Sequence, residues 1–334
     1  MSRHRTNRSG SGKGWIGASK GEHMDDRPYG VETAAASSPQ LVTFDALVPA
    51  AMAARGEESG VKKISMDAVT LLALSVLAGA FISFGAIFAT TVSAGSIVVS
   101  ATGGEAAFTA GLPYGLVKLL SGVAFSVGLI LVIVGGAELF TGNNMIVMAW
   151  ANGKVATRAL LLNWVIVFFG NFIGAILTAA LMFYTTQYKF GGGSIGLAAL
   201  YTANSKASLE FIPAVALGIM CNALVCMAIW MCYGARSNLD KIFTIVPPIA
   251  AFVAAGFEHS IANIYYFSIA LFIKAGAPES FWSSVHKTPS DFPALTWDNF
   301  LFANLVPVTI GNIIGGSVMV AGVYWFIYLR KAIR

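Results

Sequence analysis

Six long apolar segments, at roughly 66–95, 113–151, 159–185, 211–233, 242–273 and 300–329, dominate the chain and decide its solvent. A helix crosses the hydrocarbon core of a bilayer in about 20 residues. The third and fourth segments fit that length with modest tilt. The second and fifth are too long for one simple pass, and both carry polar residues near their middles. Such interruptions free backbone groups that lipid cannot satisfy, so they are tolerated only where protein or a cavity receives them.

Charge is scarce where the chain is apolar. Only 11% of the 334 residues are charged, against about 25% in a soluble domain, and mean hydropathy is +0.72. Residues 1–61 hold seven Lys/Arg and seven Asp/Glu, leaving 14 basic and 9 acidic residues for the following 273. This distribution excludes a cytosolic enzyme and a nucleic-acid-binding protein. Cys221, Cys226 and Cys232 crowd one apolar stretch with no partner cluster elsewhere, so neither a disulfide framework nor a zinc site is expected. No metal, cofactor or catalytic residue is expected.

Four regions follow from these patterns. Residues 1–40, rich in Ser, Gly and Arg, read as a disordered leader whose first two dozen residues have the composition of an expression tail. An amphipathic helix on the membrane surface is expected within 41–60, with Phe44, Leu47, Val48 and Ala51 at helical spacing. Residues 61–330 form a six-helix transmembrane domain, and 331–334 a basic tail. The fold class is all-α.

The two interruptions are related. Adding 120 to Gly136, Glu138 and Asn143 gives Gly256, Glu258 and Asn263. Adding 141 to Asn163, Gly170, Asn171 and Gly174 gives Asn304, Gly311, Asn312 and Gly315. Segments one to three and four to six therefore read as two halves of a duplicated unit. With three helices each, the halves have opposite orientation, an inverted repeat with interrupted second and fifth helices, and matching breaks mark a transport site. Lys and Arg number nine on the N-terminal side of the segments against five on the other. Both termini are accordingly expected in the cytoplasm.

Within the spans, Glu138, Glu258 and His259 stand out, and all three sit in the interruptions. Charge at bilayer depth is costly and usually faces a cavity or bonds to backbone. Glu138 and Glu258 read either as clamps that accept from the freed amides of the breaks, together with Asn143 and Asn263, or as a proton relay or ion ligands. His259 is either a hydrogen-bonded core residue or a donor to a passing anion. Thr141 is an anion contact or a helix cap. Asn222 is an interhelical hydrogen bond or a pore-lining donor. The Gly170/Gly174 and Gly311/Gly315 pairs read as close helix packing.

The strings Gly136-Ala137-Glu138-Leu139-Phe140-Thr141 and Gly256-Phe257-Glu258-His259-Ser260-Ile261-Ala262-Asn263, with Asn304–Gly316 (NLVPVTIGNIIGG), resemble the formate/nitrite transporter family over about residues 44–330. FDALVPAAMA near the start and YWFIYLR near the end look like its bacterial formate-channel branch. The resemblance implies an aquaporin-like protomer in a homopentamer in the cell inner membrane, with one pore per protomer passing a small monovalent anion. Carried over, Thr141 and His259 form the central polar pair of the pore. Phe125, Leu129, Leu139, Phe140 and Phe252 form two apolar constrictions, Lys206 attracts the anion at one mouth, and Asn222 lines the pore. Formate is the expected substrate. Gly142 and the string GIMCN lean towards nitrite, which stands with hydrosulfide as the alternative. An aquaporin-type neutral-solute channel is the alternative of another class, against which stands the absence of paired Asn-Pro-Ala motifs.

Overall fold

The computed structural model describes residues 45–95 and 112–330. The leader expected over 1–40 and the tail at 331–334 lie outside the described residues, as does Phe44. Among the described residues, five helices have the length and apolarity to cross a bilayer: α2 (Ala68–Ala94), α3 (Tyr114–Gly135), α6 (Thr157–Tyr184), α8 (Phe211–Gly234) and the last span, Asn299–Leu329. The helix expected within 41–60 falls later, as α1, Pro49–Ile64: Leu47 and Val48 precede it, and Ala51 lies within it. It is laid against the protein, burying Met52, Ala53, Gly56, Glu57 and Gly60. Close approach explains the two glycines: a Cβ at Gly56 would lie 2.9 Å from the Tyr233 ring, and one at Gly60 would lie 3.1 Å from Ala149 Cβ.

The second expected segment is not one helix. α3 ends at Gly135, and Gly136 takes φ 74°, a left-handed turn that glycine alone adopts freely. Helix resumes as α4 (Phe140–Asn143), passes through a 3-10 turn at Asn144–Ile146 and ends as α5, Val147–Ala151. The fifth segment divides in the same way. α9 (Asn238–Ala254) leads to Gly256 at φ 73°, and α10 (Ser260–Gly276) restarts the chain. Each half is 17 residues, which is why neither reaches spanning length alone.

Close helix packing positions these elements. α2 packs on α3 and α6, and α8 packs on the last span. A Cβ at Gly174 would lie 2.0 Å from the Val76 carbonyl oxygen, and one at Gly315 would lie 2.2 Å from that of Ile219. Backbone therefore meets backbone where the two glycine pairs recur. A side chain there would force the helices apart at a cost of about 1–3 kcal/mol or more.

Two helices escaped the hydropathy pattern, α7 (Ser194–Ala207) and the short α11 (Glu279–Ser284). Both lie in the stretches between expected spans, where apolar periodicity is weak. α7 matters because its last turn carries Lys206. At the start of α2, Asp67 accepts from the amides of Val69 and Thr70. Hydrogen bonds from Thr70 and Val69 hold its carboxyl below the usual carboxylate range.

Candidate functional site: two breaks between two cavities

The two breaks meet inside the protein. Thr141, on the first turn of α4, places Oγ1 3.1 Å from His259 Nε2. His259 is the N-cap of α10, and its Nδ1 accepts from the amide of Ala262 at 3.1 Å. An N–H pointing at Nδ1 requires a lone pair there, so the proton of the neutral ring sits on Nε2 and is donated to Thr141. Thr141 is fully buried and His259 is 3% exposed. The cap thus fixes both the ring orientation and the tautomer.

Cavities lie on either side of this pair. One, of about 430 Å³, reaches His259 and includes Phe125, Phe252, Lys118, Lys206 and Glu258 in its wall. The other, of about 480 Å³, is lined by Leu129, Leu139, Lys63 and Glu138 among others. Tyr114, at the start of α3, lines the first, and Gly136, just past its end, lines the second. The 22 residues of α3 separate these ends by roughly 33 Å at 1.5 Å per residue. The cavities therefore open towards opposite ends of the helices.

Apolar walls close each cavity towards the centre. Phe125 and Phe252 pack edge to face at 5.6 Å between ring centroids, and Phe252 stacks on the His259 ring at 6.1 Å. Leu129, one turn beyond Phe125, and Leu139 are each 2% exposed. Phe140 is placed differently. Its ring packs edge-on against Phe168 and Trp164 of α6, at 5.1 and 6.2 Å, and it lines neither cavity.

The carboxylates do not accept from the freed amides, contrary to the clamp reading. Glu138 accepts from Lys63 at 2.6 Å and Asn143 at 2.8 Å, and Glu258 accepts from Lys206 and Asn263, both at 2.7 Å. Asn143 and Asn263 in turn donate to Asn163 and Asn304. The breaks are clamped instead by Asn171 and Asn312. Asn171 Oδ1 accepts from the Phe140 amide, while its Nδ2 donates to the carbonyls of Ser75 and Glu138. Asn312 does the same for the Ser260 amide and the carbonyls of Gly218 and Glu258. A side-chain amide suits this task because a break exposes donors and acceptors together, and a carboxylate can only accept. The signal was present in the 141-residue offset, which pairs Asn171 with Asn312, but it carries no geometry.

Two further expectations need correction. Asn222 is fully buried and spends Nδ2 on the carbonyls of Thr141 and Asn312. It ties the helix that restarts after the first break to the residue that clamps the second, and lines neither cavity. Lys206 lines its cavity, but its charge is matched by Glu258 at 2.7 Å. Among the described residues, the cation that lines this cavity without a carboxylate at ion-pair distance is Lys118 on α3, whose ammonium lies 5.5 Å from the Tyr114 ring centroid. Sequence reasoning treated Lys118 only as a topology marker. Lys63 was missed for the same reason. Among the described residues no cluster of metal-ligating side chains occurs.

The family model described as Formate/nitrite transporter matches residues 50–326. The formate channel FocA of Escherichia coli (strain K12) is 44% identical over 288 residues, covering 86% of this chain and 96% of the relative. Formate channel FocB of the same strain is 38% identical over 290 residues, covering 87% and 98%. A solved structure titled "Pentameric formate channel with formate bound" superposes with TM-score 0.72 at 42% identity, covering 79% of this chain and 98% of that one. With five helices among the described residues fit to span a bilayer, the chain is a multi-pass membrane protein of the formate/nitrite transporter family.

Proposed function

We propose that this protein carries formate across the membrane through a pore in each protomer, with Thr141 and His259 as its central polar contact. The observation that carries this reading is the buried Thr141–His259 hydrogen bond between two cavities, flanked by Phe125 and Phe252 on one side and Leu129 and Leu139 on the other. Apolar walls of this kind gate by excluding water. A formate stripped of water there requires a donor, and the Nε2–H of His259 supplies one when the anion takes the place of the Thr141 hydroxyl. Lys118 raises the anion concentration at one mouth. Formate crosses as the anion or, with a shared proton, partly as the neutral acid.

The relatives support the substrate and the assembly: they are named as formate channels, and the solved one as pentameric with formate bound. On this reading the protein is a homopentamer in the cell inner membrane with both termini in the cytoplasm. Its two halves are an inverted three-helix repeat interrupted at Gly136 and Gly256. The recurrence of one clamp and one Lys–Glu–Asn–Asn chain in each half supports that symmetry. The α1 end, where Lys63 and Glu138 meet, then faces the cytoplasm.

Proteoliposome flux of formate and glycerol, followed side by side, tests the reading. Formate uptake without glycerol uptake is expected. Glycerol entry with formate excluded would overturn it in favour of a neutral-solute channel.

A further inference from the structure

The cavity at the α1 end is unequally charged. Arg55, Lys62 and Lys63 from α1 and Lys241 from α9 line it, and Glu138 is the carboxylate in its wall. Glu138 is committed to Lys63 at 2.6 Å. Arg55 spends one N–H on the Tyr233 carbonyl at 3.0 Å, leaving the rest of its five-donor fork. Among the described residues, no carboxylate lies at ion-pair distance from Arg55, Lys62 or Lys241. Of the neighbouring acids, Glu58, one turn from Arg55 and from Lys62 on α1, is exposed and pairs with neither, and three more are occupied elsewhere. Glu57 binds Asn152 and Lys154, Asp67 caps α2, and Asp240, beside Lys241, accepts from the amides of Arg236 and Ser237.

Three uncompensated cations around one cavity are more than a monovalent anion in transit balances. At about 480 Å³ the space also exceeds what a three-heavy-atom anion fills. Ser59 adds a hydroxyl to the wall. The apolar floor at Leu129 and Leu139 is closed to a bulky, strongly hydrated dianion. An anion of that kind would bind and stay.

We propose that this cavity is a binding site for phosphate, held by Arg55, Lys62 and Lys241, and that its occupancy obstructs permeation. The ligand is the free oxyanion. The site lies over the apolar floor of the cavity, whereas a lipid headgroup would sit at the outer faces of the helices. The charge-assisted contacts an arginine fork and two ammonium groups offer are those a phosphate accepts. The obstruction, though not the binding, rests on the formate-channel reading.

Isothermal titration calorimetry of the full chain in detergent, with inorganic phosphate as titrant at constant ionic strength, reads the binding directly. Saturable binding is expected, weakened about tenfold in Arg55→Gln/Lys62→Gln, the scale of two partly exposed charge contacts. Lys62→Gln alone, at an exposed residue with no side-chain partner among the described residues, gives a smaller loss in the same direction and guards against misfolding of the double variant. In proteoliposomes of zwitterionic lipid, phosphate at the α1 end is expected to slow formate flux, and matched chloride to leave it unchanged. Equal slowing by chloride, or phosphate binding unchanged in both variants, would overturn the site. Slowing that required anionic lipid, with free phosphate inert, would also overturn it. Phosphate binding in a protein that passes no formate in phosphate-free buffer would sink the channel reading and leave the site standing.

Discussion

Thr141 Oγ1 and His259 Nε2, 118 residues apart in sequence, lie 3.1 Å from each other at the point where the two broken segments meet. The contact exists because each break ends in a restarted helix, α4 and α10, and the clamps Asn171 and Asn312 hold the first amide of each. Neither residue alone distinguishes a core hydrogen bond from a transport contact. Their meeting between two apolar walls is the observation on which the proposed transport contact rests.

Replacing Thr141 by the near-isosteric valine removes the hydroxyl that, on the proposed reading, contacts the anion together with His259. A hydrogen bond to a charged group contributes about 1.5–3 kcal/mol, so formate flux is expected to fall by roughly tenfold or more, with Thr141→Ser keeping most of it. Stopped-flow flux in proteoliposomes checks this. Equal flux in Thr141→Val and wild type would remove the pair from the mechanism.

Asn312→Ala strands the Ser260 amide and the carbonyls of Gly218 and Glu258 together. Each buried unsatisfied group costs about 1–3 kcal/mol, so a large fall in melting temperature in detergent is expected, and Asn171→Ala should match it. Asn312→Asp keeps the acceptor and loses the donors. An intermediate melting temperature is therefore expected. Wild-type melting for Asn312→Ala would show that the break is satisfied by other means.

Lys206→Met leaves the Glu258 carboxylate, 3% exposed, without its cation. Breaking a buried pair by removing one partner costs about 3–5 kcal/mol, much of it the stranded charge. The double change Lys206→Met/Glu258→Gln should recover a good part of the loss. Thermal denaturation of the four proteins of this cycle measures the coupling, and additive losses would deny it.

Asp67 supplies a pH-dependent term at the start of α2. Its carboxyl titrates lower in the folded chain than its ordinary value of 3.8, so its stabilisation is present above 3.8 and disappears as pH falls through the lower folded value. Asp67→Asn, which carries no charge, should melt below wild type at neutral pH and converge with it as pH falls below the lowered folded value. A gap that did not change with pH would mean the charge contributes nothing.

Glu57 is 5% exposed and ties α1 to the turn after α5 through Asn152 and Lys154. Glu57→Gln should loosen this tie and speed limited proteolysis within α1, while the spans stay protected. Unchanged cleavage would show that the buried face of α1, with the Arg55–Tyr233 and Lys63–Glu138 contacts, holds it without Glu57.

Much of this architecture is legible in the one-dimensional pattern. Hydropathy places α2, α3, α6, α8 and the last span within a few residues, because burial in lipid makes apolar length the dominant requirement. The two repeat offsets also locate both breaks, since Gly136 and Gly256 are where a left-handed turn is needed. The partners of the polar residues are not legible. Glu138 and Glu258 look like natural clamps beside a break, yet Asn171 and Asn312, on helices that arrive later in the chain, reach the freed amides first. Lys206 looks like a free cation until α7, which has little apolar periodicity, folds back and sets it on Glu258.

The sequence by itself determined the solvent of this protein, the placing of its long apolar helices and the positions at which two segments break, because each depends on local composition and backbone stereochemistry. Only the tertiary structure decided which side chain satisfies which exposed group, which cations of the described residues line each cavity without a carboxylate at ion-pair distance, and that Thr141 faces His259. Those outcomes rest on distances of about 3 Å between residues far apart in the chain, where a hydrogen bond or ion pair forms or fails within a few tenths of an ångström.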